Sequence, residues 1–79
     1  MKSPRYVEEA ELAALAKKAR KDAKKKRAQA ARDMGIKQPS IFHAEESPDL
    51  PFTKLRRKMI ETYSNWKITG PFFRVEKKD

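Results

Sequence analysis

The side chains that most often carry catalysis or hold metal ions are scarce in this sequence. It contains one histidine, His43, and no cysteine, which excludes histidine pairs, thiol nucleophiles and cysteine-ligated metal sites. Three acids lie close together at Glu45, Glu46 and Asp49, but their segment lacks the glycine turn and ligand number of a calcium loop. We therefore predict no enzymatic activity, no cofactor, no metal and no small-molecule ligand. The three acids are assigned to the solvated end of a helix.

Positive charge is the dominant chemical feature of the sequence. Twenty lysine and arginine residues stand against eleven acids, which gives a net charge of +9. Ten of these basic residues lie in residues 17–37, together with two aspartates. A chain this basic favours a polyanionic partner, either nucleic acid or an anionic membrane surface. No apolar run approaches the ~20 residues of a membrane span, and we expect no membrane partner.

Glycine and proline divide the sequence into helical segments. Residues 7–31 contain neither and are rich in the strongest helix formers. Gly35 can adopt the left-handed backbone conformation that ends one helix, and Pro39 fits the first turn of the next helix. After a loop at residues 47–51, an amphipathic pattern with an apolar stripe resumes. The sequence predicts helices over residues 5–24, 27–34, 38–46 and 51–64.

Residues 27–46 resemble the helix-turn-helix motif of phage-repressor-type regulators, the Cro and XRE class. The resemblance rests on a small residue in the first helix, a glycine at the turn, an apolar residue after it, the polar stretch KQPS and a final isoleucine. These positions are Ala31, Gly35, Ile36, residues 37–40 and Ile41. A small Ala31 lets two helices cross closely, and Gly35 supplies the positive φ that the turn needs.

The resemblance implies a sequence-specific transcriptional regulator, a repressor by expectation, that places its second motif helix in the major groove of double-stranded DNA. The residues expected to contact bases are Gln38, Pro39, Ser40 and His43. The residues expected to contact phosphates are Arg27, Lys37, Lys54 and Arg57. The amide of Gln38 can pair bidentately with adenine. Two roles stay open for Phe42, namely a thymine-methyl contact or burial against the fourth helix.

The end of the sequence has a different character. Gly70 and Pro71 rule out a continuous helix, and the surrounding aromatic and β-branched residues favour strands. The pattern predicts a strand at residues 72–76, which a second strand at residues 67–69 can precede. Such a strand must pair within the chain or with a second copy, and both pairings stay open. By resemblance to small phage repressors we expect a homodimer, with contacts from Ile68, Phe72, Phe73 and Val75.

The predicted fold is mainly α: a small helix-turn-helix bundle of about four helices, lambda-repressor-like, with a short C-terminal β-strand. Residues 1–64 form the predicted DNA-binding domain, with its motif at residues 27–46, and residues 65–79 form a tail. We expect the protein to be encoded by a bacterium or a phage. We expect it to lie in the cytoplasm, associated with the nucleoid. Two other functions stay open: a basic RNA- or ribosome-associated protein that uses the lysine-rich first helix, and a protein-interaction module on a helix-turn-helix scaffold.

Overall fold

The computed structural model describes residues 5–6, 8–69 and 74–78. These residues form four helices, which are α1 (Glu9–Asp22), α2 (Arg27–Met34), α3 (Gln38–Glu46) and α4 (Thr53–Tyr63). They also form three strands, which are β1 (Arg5–Tyr6), β2 (Trp66–Thr69) and β3 (Arg74–Lys77). The predicted mainly α fold, a small bundle of about four helices, is confirmed. Across the described part of the chain, no helix is long and apolar enough to cross a membrane.

Helices α2 and α3 have the predicted bounds, whereas α1 starts later than predicted. The helix predicted from residue 5 is wrong at its start, because Arg5 and Tyr6 form strand β1 opposite Val75 and Arg74 of β3. Glu8 is extended, with φ −89° and ψ 168°, and the helix begins at the next residue. Pairing with a strand near the other end of the sequence is a tertiary effect, which overrides local helix propensity.

The inner face of α1 is built mostly from small residues. Leu12, Ala16 and Ala19 are buried at the predicted helical spacing. The chief partner of α1 is α4, which contributes buried Met59 and Ile60. Alanine side chains let the two helix backbones come close, so larger residues on α4 fill the shared core.

The three strands form one antiparallel sheet in the order β1-β3-β2. Ile68 of β2 lies opposite Val75 of β3, and both side chains belong to the same hydrophobic core as the helices. These two residues come from the segment predicted as a tail, residues 65–79, and they pack in the same core as the helices. The strand predicted at residues 72–76 is present as Arg74–Lys77, and residues 72–73 lie outside the described ranges.

Candidate nucleic-acid interface

Helices α2 and α3 are joined by a tight turn at residues 35–37. Gly35 has φ +70° and ψ 35°, and the N–H groups of Gly35 and Ile36 donate to the carbonyls of Arg32 and Ala31 at 3.2 and 3.0 Å. These bonds satisfy carbonyls at the end of α2 that the helix itself leaves free. A Cβ built on Gly35 meets no atom within 4 Å, so glycine is needed here for its backbone conformation and not for space.

A buried ion pair fixes α3 against α1. Arg20 of α1 donates to Glu45 of α3 from Nε at 2.5 Å and from Nη2 at 3.0 Å. The Glu45 side chain has no exposed surface, and that of Arg20 is 10% exposed. Arg20 also donates through Nη1 to the backbone oxygen of Lys25 at 2.7 Å, so the same side chain holds the loop between α1 and α2.

Further ion pairs lie beside the Arg20–Glu45 pair, and two of them involve Arg27. Its Nε donates to Glu45 at 3.0 Å and its Nη2 donates to Glu46 at 2.6 Å. Lys17 of α1 binds the same Glu46 carboxylate at 2.6 Å. The hydrogen bond from Lys17, together with the charges of Lys17 and Arg27, holds the pKa of Glu46 below its usual range. Two acids that sequence reasoning assigned to a solvated helix end therefore connect three helices.

The helical spacing of the residues of α3 indicates that Glu45 lies on the buried face. Ile41, Ala44 and Glu45 are spaced as one face of a helix, and all three are buried. An acid on the buried face needs a basic partner, and Arg20 is the partner in the structure. This spacing is readable from the sequence, whereas the identity of the basic partner depends on the fold.

The residues predicted to contact bases lie on α3 outside its buried set of Ile41, Ala44 and Glu45. Gln38, Pro39 and His43 are exposed and Ser40 is half-buried. Pro39 occupies the first turn of the helix, as predicted, where its missing N–H removes no helical hydrogen bond. The structure thus brings the four side chains onto one helix, with three of them open to solvent.

His43 lies between two aromatic rings. Its ring stacks on Phe52 at a centroid distance of 6.4 Å and an interplanar angle of 14°. Its other ring neighbour, Phe42, is edge-on at 5.5 Å and 80°. His43 Nδ1 lies 3.3 Å from Ser47 Oγ. These contacts restrict the orientation of an otherwise exposed imidazole.

The four residues predicted to contact phosphates separate into two pairs. Lys37, just before α3, and Lys54, in the first turn of α4, are exposed. Arg27 is held by two carboxylates, and Arg57 donates from Nη2 to the backbone oxygen of Ile68 at 3.1 Å. The guanidinium groups of Arg27 and Arg57 therefore bind acceptors within the chain, and the phosphate contacts of all four residues stay predictions.

Arg56 is a structural residue that sequence reasoning missed. It is fully buried and donates from Nε to the oxygen of Ala44 at 2.8 Å and from Nη2 to the oxygen of Ser47 at 2.7 Å. Both acceptors lie at the end of α3, where carbonyls lack helical partners. The spacing of Arg56 from Met59 and Ile60 places it on the buried stripe of α4, and this spacing was the available signal.

Two of the four residues proposed for dimerisation are buried within the single chain. Ile68 and Val75 are each 1% exposed in the single chain. β3 is the central strand, paired with β2 along one edge and with β1 at Arg74 and Val75 on the other. On the outer edge of β2, the Ile68 N–H donates to Glu61 Oε2 at 2.9 Å. The strand pairs within the chain, which corrects the use of Ile68 and Val75 as contacts between copies. Phe72 and Phe73 lie outside the described residues.

Comparison of the chain with protein-family models, with curated proteins and with solved structures gave no match. The resemblance to phage-repressor-type regulators therefore depends on the residues of the turn and of the two helices beside it.

Proposed function

We propose that the protein is a sequence-specific double-stranded DNA-binding regulator of transcription, acting as a repressor, that inserts α3 into the major groove. The observation that carries the proposal is the two-sided character of α3. One side, with Ile41 and Glu45, is locked into the core, whereas Gln38 and Pro39 project from the first turn into solvent. In helix-turn-helix proteins the N-terminal turn of the second helix is the part that meets the base edges.

The charge distribution supports the same proposal. Acids on a DNA-facing helix repel phosphates unless they are neutralised, and Glu45 and Glu46 are both paired with arginine or lysine. Around them the chain carries a net charge of +9. Lys37 and Lys54 are exposed basic side chains at the starts of α3 and α4. Such residues supply the sequence-independent part of DNA affinity and fix the protein in register.

A homodimer in the cytoplasm, close to the chromosome, belongs to this proposal. A single recognition helix reads only a few base pairs, which is too little to select one site among a genome of competitors. A second copy doubles the sequence that is read, with half-sites about one helical turn (~34 Å) apart. The copies must meet through a surface other than the edges of β3, since both edges are paired within one chain.

A second candidate function is binding of RNA through the lysine-rich end of α1 and the loop that follows it. The observation that favours it is the exposure of Lys21, Lys24 and Lys26, none of which pairs with a carboxylate among the described residues. Binding of this kind would depend on these lysines and would be indifferent to Gln38.

Selection of bound duplexes from a random DNA pool tests the proposed function. We expect the protein to enrich a palindromic motif, because two copies related by a two-fold axis read two equal half-sites. A parallel selection from a random RNA pool tests the second candidate. Enrichment of RNA with no enriched duplex would favour the second candidate and reject the first.

A further inference from the structure

A large apolar side chain projects from the polar face of α3. Phe42 is 45% exposed, although it lies one helical turn from Gln38 and Pro39 on the face proposed to enter DNA. From sequence, the role of Phe42 is open between burial against α4 and contact with a base, and its exposed ring excludes full burial. The exposed part of the ring offers apolar surface for contact with a partner.

The ring of Phe42 is held in place and does not project freely. The Arg27 guanidinium carbon lies 5.0 Å from the ring centroid, in cation–π geometry. Arg27 is fixed by its hydrogen bonds to Glu45 and Glu46. The edge-on His43 ring, 5.5 Å away, restricts the other side. An apolar group fixed in this way meets a partner without the entropic cost of ordering a free side chain.

The chemistry of the major groove offers few partners for an apolar ring. Donors and acceptors dominate the base edges there, and the C5-methyl group of thymine is the apolar feature among them. A second protein is the other conceivable partner, but α3 is the helix whose exposed first turn carries the base-reading residues. A phenylalanine on the same face, between Gln38 and the C-terminal end of the helix, is placed to contact a base edge beside those residues.

We propose that Phe42 recognises the 5-methyl group of a thymine in each half-site, and that Arg27 is a positioning residue that holds the ring for this contact. The proposal rests on the proposed function, because it requires α3 to enter the major groove. It replaces the expected phosphate contact of Arg27 with an indirect role in base selection.

The test uses the full-length protein and the duplex that it selects. Each thymine of the duplex is replaced in turn by deoxyuridine, which removes the methyl group and leaves the pairing unchanged. We expect one position in each half-site to weaken binding of the wild-type protein by about fourfold, the value of one buried methyl group. Phe42→Ala should lose a similar factor on the thymine duplex and should no longer distinguish thymine from deoxyuridine at that position.

Two further variants separate positioning from folding. Arg27→Lys keeps a cation beside the ring and the acids, and it should retain the thymine preference. Arg27→Met removes the cation and should reduce the preference, with thermal unfolding confirming that the variant is folded at the assay temperature. Gln38→Ala serves as the matched control on the same helix, because it should lose affinity but keep its sensitivity to deoxyuridine.

The results of these experiments distinguish a failure of the Phe42 proposal from a failure of the proposed function. A wild-type protein that selects a duplex and binds every deoxyuridine version equally well would overturn the Phe42 proposal alone. So would a Phe42→Ala variant that keeps the full thymine preference, or one that keeps full affinity and instead loses a protein partner. A wild-type protein that selects no duplex at all would overturn the proposed function and the Phe42 proposal together.

Discussion

Arg20 and Glu45 form a buried, two-bonded ion pair between the first and third helices, with Nε–Oε2 and Nη2–Oε1 distances of 2.5 and 3.0 Å. Arg27 binds the same carboxylate at 3.0 Å, so one acid connects α1, α2 and α3. The pair holds α3 against α1. Since the proposed function depends on the exposed side of α3, this contact supports the site without taking part in binding.

Removing the charge of Glu45 should destabilise the protein strongly. Glu45→Gln leaves the Arg20 guanidinium in a site where it is largely buried, and breaking a buried pair in this way costs about 3–5 kcal/mol. Urea denaturation followed by circular dichroism measures the loss. The matched control is Lys18→Ala, because Lys18 pairs with Asp22 at an exposed position and should change stability by less than about 0.5 kcal/mol. A similar small change in both variants would show that the buried pair does not hold α3 in place.

Two residues with positive φ follow the ends of α1 and α2, and substituting them should change the stability of the protein in opposite directions. Lys24 has φ +59° and is the one non-glycine residue with positive φ among those the structure describes, and Gly35 has φ +70°. Lys24→Gly relieves a left-handed penalty of about 1–2 kcal/mol, partly offset by a more flexible unfolded chain. We expect a net gain in stability of about 0.5–1 kcal/mol for Lys24→Gly and a loss of about 1 kcal/mol for Gly35→Ala. Thermal melts check both signs, and a destabilised Lys24→Gly variant would contradict this conformation of the loop.

The pairing of Glu46 should make stability depend on pH below neutrality. Its pKa is lowered in the folded protein from the ordinary value of 4.5, chiefly by the hydrogen bond from Lys17. The stabilisation is therefore complete above pH 4.5 and is lost as pH falls through the lower folded-state pKa. Thermal melts of wild type and Glu46→Gln across this range should differ at pH 7 and converge in acid. A difference that stayed constant down to acid pH would rule out the ion pair as its source.

Exposed lysines, and an arginine that binds carboxylates within the chain, should differ in their effect on the salt dependence of DNA affinity. Lys37→Ala and Lys54→Ala should each reduce the slope of log affinity against log salt by about one. Arg27→Met should leave that slope unchanged, because its guanidinium binds two carboxylates of the same chain. Titrations of a duplex at several salt concentrations give the slopes. An Arg27 variant that lost one unit of slope would mean that Arg27 leaves its acids for a phosphate when DNA binds.

The bounds of α2 and α3 could be predicted from the sequence because their signals are local. Gly35 ends one helix through its own backbone freedom, and Pro39 fits the first turn of the next. The strand at Arg5–Tyr6 could not be predicted in this way, since those residues adopt their conformation by pairing with Val75 and Arg74 near the other end of the chain. Local propensity carries no information about such a partner.

The basic residues show a similar limit at the candidate site. From sequence, Arg27, Arg57 and Lys37 are equally available cations. In the structure the two arginines bind acceptors within the chain, whereas Lys37 is exposed. Whether a basic side chain binds an acceptor within the chain depends on the acids and carbonyls that folding brings near it. The helical phase of Arg56 gave a partial signal, whereas its acceptors, the oxygens of Ala44 and Ser47 at the end of α3, are identified only in three dimensions.

Binding of one selected duplex and one scrambled duplex by wild type and Gln38→Ala tests whether exposed side chains on the first turn of α3 read bases. Gln38→Ala should lose about 1–3 kcal/mol of affinity for the selected duplex, the value of one bidentate amide–base contact, and little for the scrambled one. Equal losses on both duplexes, or no loss on either, would contradict base reading by α3.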